Sequence, residues 1–342
     1  MNLKELSERL GLSQTTVSRA LNGFPEVSEA TRAKVQAAAR HYNYRPNMRA
    51  RGLATGRAMA IGHVIPVSSK HEIVNPVFAD FIAGAGETYS GADYDMVLTV
   101  VSDADEADAY RKLRAKGTVD GIIVHGPKVT DSRIALLHEI GLPFVVHGRA
   151  SEATLPYSWL DVNNRRAFER ATSFLLDLGH RRIALINGLE AMDFAYRRRR
   201  GYEAALATHG LAPDPALMLS EEMTEANGYR ATRRLLGLAA PPTALLTSSY
   251  ISAIGARRAI EEHGLKLGRD ISIVTHDDEL SYFRNGEDVP IFTATRSSVR
   301  EAGRQAAAML LDLIADPDQT PQTRLLEAAL IVGASTGPAP RT

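Results

Sequence analysis

Short apolar runs alternating with amphipathic stretches through residues 58–342 constrain the fold more than any other feature of the chain. The runs are AMAIGHVIP (58–66), DMVLTVV (95–101), DGIIVHG (120–126), FVVHG (144–148), RIALING (182–188), ALLTS (244–248) and DISIVTH (270–276). Helical periodicity covers 76–90, 105–116, 132–140, 165–178, 198–209, 226–236, 251–263 and 298–315. Apolar runs this short read as buried strands. Strands separated by helices build parallel sheets, because a parallel pair needs a long crossover. The fifteen or so elements exceed one comfortable sheet, so two lobes are expected. Ligands of open parallel sheets bind beyond the carboxyl ends of the strands, and a cleft between two lobes can close by a hinge.

Composition narrows the function classes. Among 342 residues there is no cysteine, which removes disulfides, thiolate metal sites and cysteine nucleophiles. No apolar run approaches the roughly 18 residues of a membrane span. The opening MNLKELSERLGLS lacks the apolar core of a secretory signal, so a soluble, cytoplasmic protein with no membrane partner is expected. Charge is zero overall, with 40 basic and 40 acidic residues, but it is unevenly spread. Residues 1–57 carry ten Lys/Arg against four Glu, a net of +6, and the remaining 285 residues carry −6. A cationic head on a mildly anionic body is the electrostatic footprint of a nucleic-acid reader.

Local pattern in the head agrees. Leu3, Leu6 and Leu10 recur at helical spacing before Gly11. Ser13 can cap a second helix over 14–22 that turns Val17 and Leu21 inward, and Gly23 closes it. Ser28 can cap a third helix over 29–41, with Val35, Ala38 and Ala39 on its inner side. Three short helices with a glycine turn between the first two read as a helix-turn-helix, placed at residues 1–46. In that geometry the second helix enters the major groove with its N-terminal residues at base edges. Here these are Gln14, Thr15 and Ser18, with Arg19 a turn further along. Gln can pair with adenine and Arg with guanine in a bidentate way.

The stretch LSQTTVSRALNGFPEVSEATRAKV, followed by HYNYRPNMRARGLATG, resembles the DNA-binding head of the LacI/GalR family of bacterial transcription regulators. The resemblance implies base reading by Gln14, Thr15 and Arg19. It implies phosphate contact or support of the head by Ser13, Thr16, Ser18, Asn22 and Tyr44. Pro46 stops the third helix, and Asn47 can cap a segment over 48–54 that is too short to be stable alone. By resemblance, residues 47–57 form a hinge helix that orders in the minor groove when two subunits pair. Leu53 is then the apolar wedge that kinks the duplex, with Asn47, Arg49 and Ala50 among the DNA contacts.

Through the body the resemblance is carried by NPVF (75–78), LGHRRIALI (178–186), RRRGYEAAL (198–206) and ISIVTHDD (271–278). It implies an α/β two-lobed periplasmic-binding-protein-like fold, with an N-lobe of about 58–160 plus 292–321 and a C-lobe of about 161–291 plus 322–342. The implied effector contacts are Phe78, His125, His147, Arg149, Asp161, Phe194, Arg198 and Asp277, with Met223, Ser249 and Tyr250 beside them. Their chemistry suits a polyol. A guanidinium fork and a carboxylate can bracket vicinal hydroxyls, and Phe78, Phe194 and Trp159 offer apolar faces for a sugar ring. Two positions depart from the family pattern. Its usual Asn-Asp pair reads Ser249-Tyr250, where Tyr250 could stack on a ring, and its Gly-aromatic pair reads Thr275-His276. FVVHGR (144–149) is similar to the sugar-responsive branch, including regulators of α-glucoside or α-galactoside use.

Other signals carry less. His71-Glu72 begins a zinc-protease motif, but Asn75 replaces its second His. Asp103, Asp105 and Asp108 lack the glycine and terminal Glu of a calcium loop. GAG at 84–86 falls within a helical pattern and not after a strand, so it is no dinucleotide loop. In the run Arg197 to Arg200, only Arg198 is read as functional. No catalytic constellation, metal or cofactor is expected. The chain thus reads as a homodimeric, non-enzymatic repressor of carbohydrate genes. It would bind a roughly palindromic operator and respond to a mono- or disaccharide. A sugar-binding protein without a DNA role, a sugar-modifying enzyme, and a regulator controlled by a non-sugar ligand or corepressor are the alternatives.

Overall fold

The computed structural model describes residues 1–44, 56–66, 75–277 and 279–341, with the side chain of Asp103 excepted. The expected hinge contacts Asn47, Arg49, Ala50 and Leu53, and the His71-Glu72 pair, lie outside the described residues. The chain divides into two units, Met1–Met59 and Ala60–Thr342.

The described residues of the first unit form three helices, α1 (Leu3–Leu10), α2 (Gln14–Leu21) and α3 (Glu29–His41). Each begins on a side chain that accepts an orphan amide. Asn2 accepts from Glu5 N in a reciprocal capping box, Ser13 from Thr16 N and Ser28 from Thr31 N. Gly11 ends α1 at φ +67, a left-handed turn that needs no side chain. Leu6, Val17, Ala20, Val27, Val35 and Ala39 form a small core between the helices.

The second unit contains two six-stranded sheets of matching order. The first runs β11-β5-β4-β3-β1-β2, from β1 (Ala60–Pro66), β2 (Asp95–Val101), β3 (Gly121–His125), β4 (Phe144–His147), β5 (Ser158–Val162) and β11 (Thr323–Leu326). All its pairs are parallel. The second runs β12-β10-β9-β8-β6-β7, from β6 (Ile183–Asn187), β7 (Met218–Ser220), β8 (Ala244–Thr247), β9 (Ser272–His276), β10 (Thr293–Arg296) and β12 (Ala329–Ile331). It is parallel except where β10 meets β12. All seven apolar runs are strands. The other five strands are short and carry polar or half-exposed residues, so no apolar run announces them.

Among the described residues eight α-helices pack on these sheets: α4 (Pro76–Gly91), α5 (Glu106–Lys116), α6 (Ser132–Glu139), α7 (Asn164–Asp177), α8 (Asp193–Thr208), α9 (Glu225–Leu236), α10 (Tyr250–Glu262) and α11 (Val299–Ala315). Helix α8 starts at Asp193, five residues before its expected start, because Arg198 is buried and joins the inner face of the helix. Helices α4 and α11 cover one face of the first sheet with Phe81, Tyr89, Ala306 and Leu310. They approach so closely that a Cβ on Gly84 would lie 1.9 Å from the Arg300 carbonyl, and one on Gly303 would lie 2.1 Å from that of Phe81. The GAG segment is therefore a helix-packing surface.

Strand pairing moves the lobe limits. The N-lobe segment expected to begin near 292 includes β10, yet β10 is in the second sheet beside β9. The C-lobe segment expected to begin near 322 includes β11, yet β11 pairs in the first sheet with Trp159–Val162. The chain therefore crosses between the sheets after β5, between β10 and α11, and between β11 and β12.

Candidate functional site

In the head, α2 displays a polar outer side. Gln14, Thr15, Arg19 and Asn22 are exposed, Thr16 and Ser18 are half-buried, and Val17 and Ala20 face the core. The Ser13 and Thr16 hydroxyls meet at 2.8 Å, and Asn22 Nδ2 donates to Ser18 O at 2.9 Å, so both ends of the helix are fixed by its own polar groups. Tyr44 packs half-buried against the head core, which raises its hydroxyl pKa. This helix presents donors and acceptors at its N-terminal end without unfolding.

In the body, most of the expected effector contacts gather at the carboxyl ends of the two sheets. A polar chain starts at Arg149, just past β4. Its Nε donates to Asp161 Oδ2 at 2.8 Å, and its guanidinium lies over the Trp159 ring at 4.8 Å. Asn164 Nδ2 donates to Asp161 Oδ1 at 3.2 Å, and Arg198 Nε donates to Asn164 Oδ1 at 2.8 Å. Arg198 Nη1 donates to Ser248 O at 2.6 Å, just beyond β8. Its Nη2 faces Asp277 Oδ2 at 3.9 Å, too far for a hydrogen bond. Phe194 lies 4.8 Å and Phe168 5.2 Å from the guanidinium, and Met223 Sδ lies 3.9 Å from Nη1.

Burial sets the electrostatics. It lowers the Arg198 pKa to about 10, against the pull of Asp277 and Asp161, and the group remains a cation at neutral pH. Burial raises the Asp161 pKa, opposed by the hydrogen bond from Arg149. Asp277 sits just beyond β9 with φ +54, a left-handed conformation that Asp adopts more readily than most non-glycine residues. Ser297 Oγ donates to its Oδ1 at 2.8 Å.

The part of the N-lobe side formed by the ends of β3 and β4 is aromatic and neutral. His125 and His147 end adjacent strands in register. Phe78 meets His125 edge-on at 5.1 Å, and His147 stacks on Phe81 at 4.1 Å. Burial lowers the His147 pKa to about 4 and that of His125 well below the ordinary 6.5, so both are uncharged at neutral pH. The site thus joins an uncharged aromatic wall to a charged hydrogen-bonding wall.

Two expected contacts are placed otherwise. Tyr250 is corrected from a stacking face to a core residue. It is 4% exposed, its ring packs on Phe292 and Phe283, and its hydroxyl donates to Arg284 O. Ser249 is the N-cap of α10, its hydroxyl accepting from Ser252 N at 3.1 Å. Trp159 is covered by Arg149. Sequence reasoning missed Asn164, Ser248 and Ser297, which join the polar chain, and His63 and Tyr89 beneath His125. His63 had a visible signal, a lone polar side chain inside an apolar run. In the arginine run, Arg197 pairs with Asp193, Arg199 with Glu190 and Glu203, and Arg200 with Glu203, which leaves Arg198 as the one aimed at the site. A surface recess of about 640 Å3 along α7, bordered by Arg166, Glu169, Arg170 and Leu330, shares none of these groups. Among the described residues no cluster of His, Asp and Glu has a metal-holding arrangement, and no helix is long and apolar enough to cross a membrane.

Comparison with known proteins agrees with both units. Residues 2–47 match the model for bacterial regulatory proteins of the lacI family, and residues 172–336 match a periplasmic binding protein-like domain. The HTH-type transcriptional regulator AglR of Rhizobium meliloti is 46% identical over 99% of this chain and 95% of its own length. The regulator RafR of Escherichia coli is 36% identical over 92% of each chain. The lac repressor dimer bound to operator and the anti-inducer ONPF superposes with a TM-score of 0.82 at 26% identity, covering 98% of this chain and 99% of that one. The CelR–cellobiose complex superposes with a TM-score of 0.73 at 27% identity, with the same coverage. These relatives are transcription regulators, not enzymes. The chain belongs to the LacI family of DNA-binding bacterial transcription regulators.

Proposed function

We propose that the chain is a repressor of carbohydrate uptake or catabolism genes, and that a mono- or disaccharide in the cleft, of the α-glucoside or α-galactoside class, sets its operator affinity. The observation that carries this reading is the open edge of Arg198. Its Nε and Nη1 are held by the protein, whereas its Nη2 lies 3.9 Å from Asp277 Oδ2, beyond hydrogen-bond reach, and its guanidinium borders Phe194. A hydroxylated ring can be bracketed there by charge-assisted bonds while its apolar face meets an aromatic. The complex of CelR with cellobiose, a disaccharide, supports a saccharide as the ligand.

On the DNA side, the chain acts as a homodimer on a roughly palindromic operator, since one short recognition helix reads only a few base pairs. Gln14, Thr15 and Arg19 read bases. Ser13, Thr16, Ser18, Asn22 and Tyr44 position the head, and Asn47, Arg49, Ala50 and Leu53 act at the hinge. Calorimetric titration of a panel of cellobiose, maltose, melibiose and ribose tests the ligand class. Saturable binding of maltose or melibiose is expected, and binding of cellobiose or ribose alone rejects the α-linked class. Absence of binding across the panel and its α-linked homologues rejects the class.

A further inference from the structure

His63, His125 and Tyr89 form a hydrogen-bonded chain beneath the N-lobe wall, drawn from β1, β3 and α4. His63 Nδ1 lies 2.8 Å from His125 Nε2, and Tyr89 Oη lies 3.3 Å from His63 Nε2. His63 is fully buried and Tyr89 is 1% exposed. We propose that Tyr89 and His63 act as positioning residues that fix His125 in the tautomer carrying its proton on Nδ1, so that its ring presents a donor to an effector oxygen. This inference rests on the saccharide reading of the cleft.

The direction follows from hydrogen-bond accounting. A phenol hydroxyl has one proton, and His63 Nε2 is its acceptor among the described residues. If His63 instead donated from Nε2, the phenol proton would be buried without an acceptor, an arrangement native interiors avoid. Tyr89 therefore donates, His63 Nε2 accepts, and the His63 proton resides on Nδ1. That proton goes to His125 Nε2, which must then be the bare nitrogen, leaving the His125 proton on Nδ1. Both rings are neutral, since burial lowers the His63 pKa to about 3 and holds that of His125 well below its ordinary value, so a tautomer choice exists. His125 Nδ1 has no protein partner among the described residues, and it is absent from the sealed polar atoms that lack one. His125 is 7% exposed, in edge contact with Phe78 and beside His147 at the strand ends.

The chemistry selects one side of a ligand. A fixed Nδ1–H on the N-lobe wall favours an oxygen acting as acceptor, such as a ring or glycosidic oxygen. Asp277 on the opposite wall takes hydroxyl protons. A saccharide that offers an ether oxygen to the first wall and vicinal hydroxyls to the second satisfies both.

Nitrogen-15 NMR of the histidine rings in the full chain, at neutral pH without saccharide, tests the relay. His125 is expected with its proton on Nδ1. Tyr89→Phe keeps the ring but removes the donor, and His63→Leu removes the link; both are expected to move the His125 proton to Nε2. The panel sugar that binds best by calorimetry should then bind each variant about 2- to 10-fold more weakly, the range of one net hydrogen bond. A His125 Nε2–H tautomer in the unmodified chain, or an Nδ1–H tautomer that persists in both variants, overturns the relay. The expected tautomers with no sugar bound by any form would instead overturn the saccharide reading on which the relay's role depends.

Discussion

Arg198 keeps a positive charge where it is stripped of water, and its neighbours show why it can. Asn164 and Ser248 take two of its donors, Phe168 and Phe194 border its plane, and Asp277 balances its charge at a distance. Arg198→Ala is expected to leave operator binding intact, to abolish the response to saccharide, and to cost the body about 3 kcal/mol because partners of a buried cation lose it. Operator binding with and without sugar, alongside urea unfolding, checks all three; a normal sugar response contradicts the assignment. In the head, Arg19→Ala should reduce preference for operator over random DNA by about 1–3 kcal/mol. Equal losses on both DNAs would point to phosphate contact alone.

The buried histidines give stability a pH dependence of definite sign. Unfolded imidazole takes a proton near 6.5, whereas in the folded body His147 does so at about 4 and His63 at about 3. Below pH 6.5 the unfolded state therefore holds more protons, and the body loses stability as pH falls from 6.5 toward 4. The slope is up to about 1.4 kcal/mol per pH unit for each such histidine. Urea midpoints for the body should be level above pH 6.5 and decline below it. A midpoint that holds steady through pH 5 would show that these rings are already charged or exposed. At this scale the sequence was readable where a residue type was unusual for its surroundings. Arg198 stood out through the family pattern. Tyr250 misled because adjacency along a chain does not reveal which side a helix-start residue faces; here it turned under Phe292. Asn164 and Ser248 act through contacts between distant segments, which one sequence does not display.

Among the elements, the apolar runs of β1, β3, β4, β6, β8 and β9 were legible because those strands are buried, and β2 was legible from its run DMVLTVV although it is a half-exposed edge strand. The edge strands β7, β11 and β12 were not, since edge residues face solvent and need little hydrophobicity. The lobes share three connecting segments, as expected, but β10 and β11 lie in the sheets opposite to those expected, so the last two crossings fall a few residues further along the chain. Hydrogen bonds also link the lobes. Ser281 N donates to Asp80 Oδ2 at 2.7 Å, and Ser151 N donates to Asp193 Oδ1 at 2.7 Å. The α4–α11 pair must stay close for Phe81 to back His147 and for Tyr89 to reach His63. Gly84→Ala forces a methyl into the Arg300 carbonyl, so the body should lose about 1–3 kcal/mol by urea unfolding. An unchanged midpoint would mean that the helices can separate freely.

At the scale of the whole molecule, the chain pairs a head of net charge +6 with a body of −6. Charge asymmetry, the helix-capping residues and the alternating runs make this division legible in the amino-acid sequence, because each follows from local chemistry. What local chemistry does not display is coupling, the free energy by which a ligand in one unit alters the grip of another. Operator affinity measured by fluorescence anisotropy at fixed salt, with and without the saccharide selected by calorimetry, tests that coupling directly. A shift of about 5- to 150-fold is expected, matched by an equal shift in saccharide affinity when operator is bound. Superimposable operator curves from a protein saturated with that sugar would contradict it.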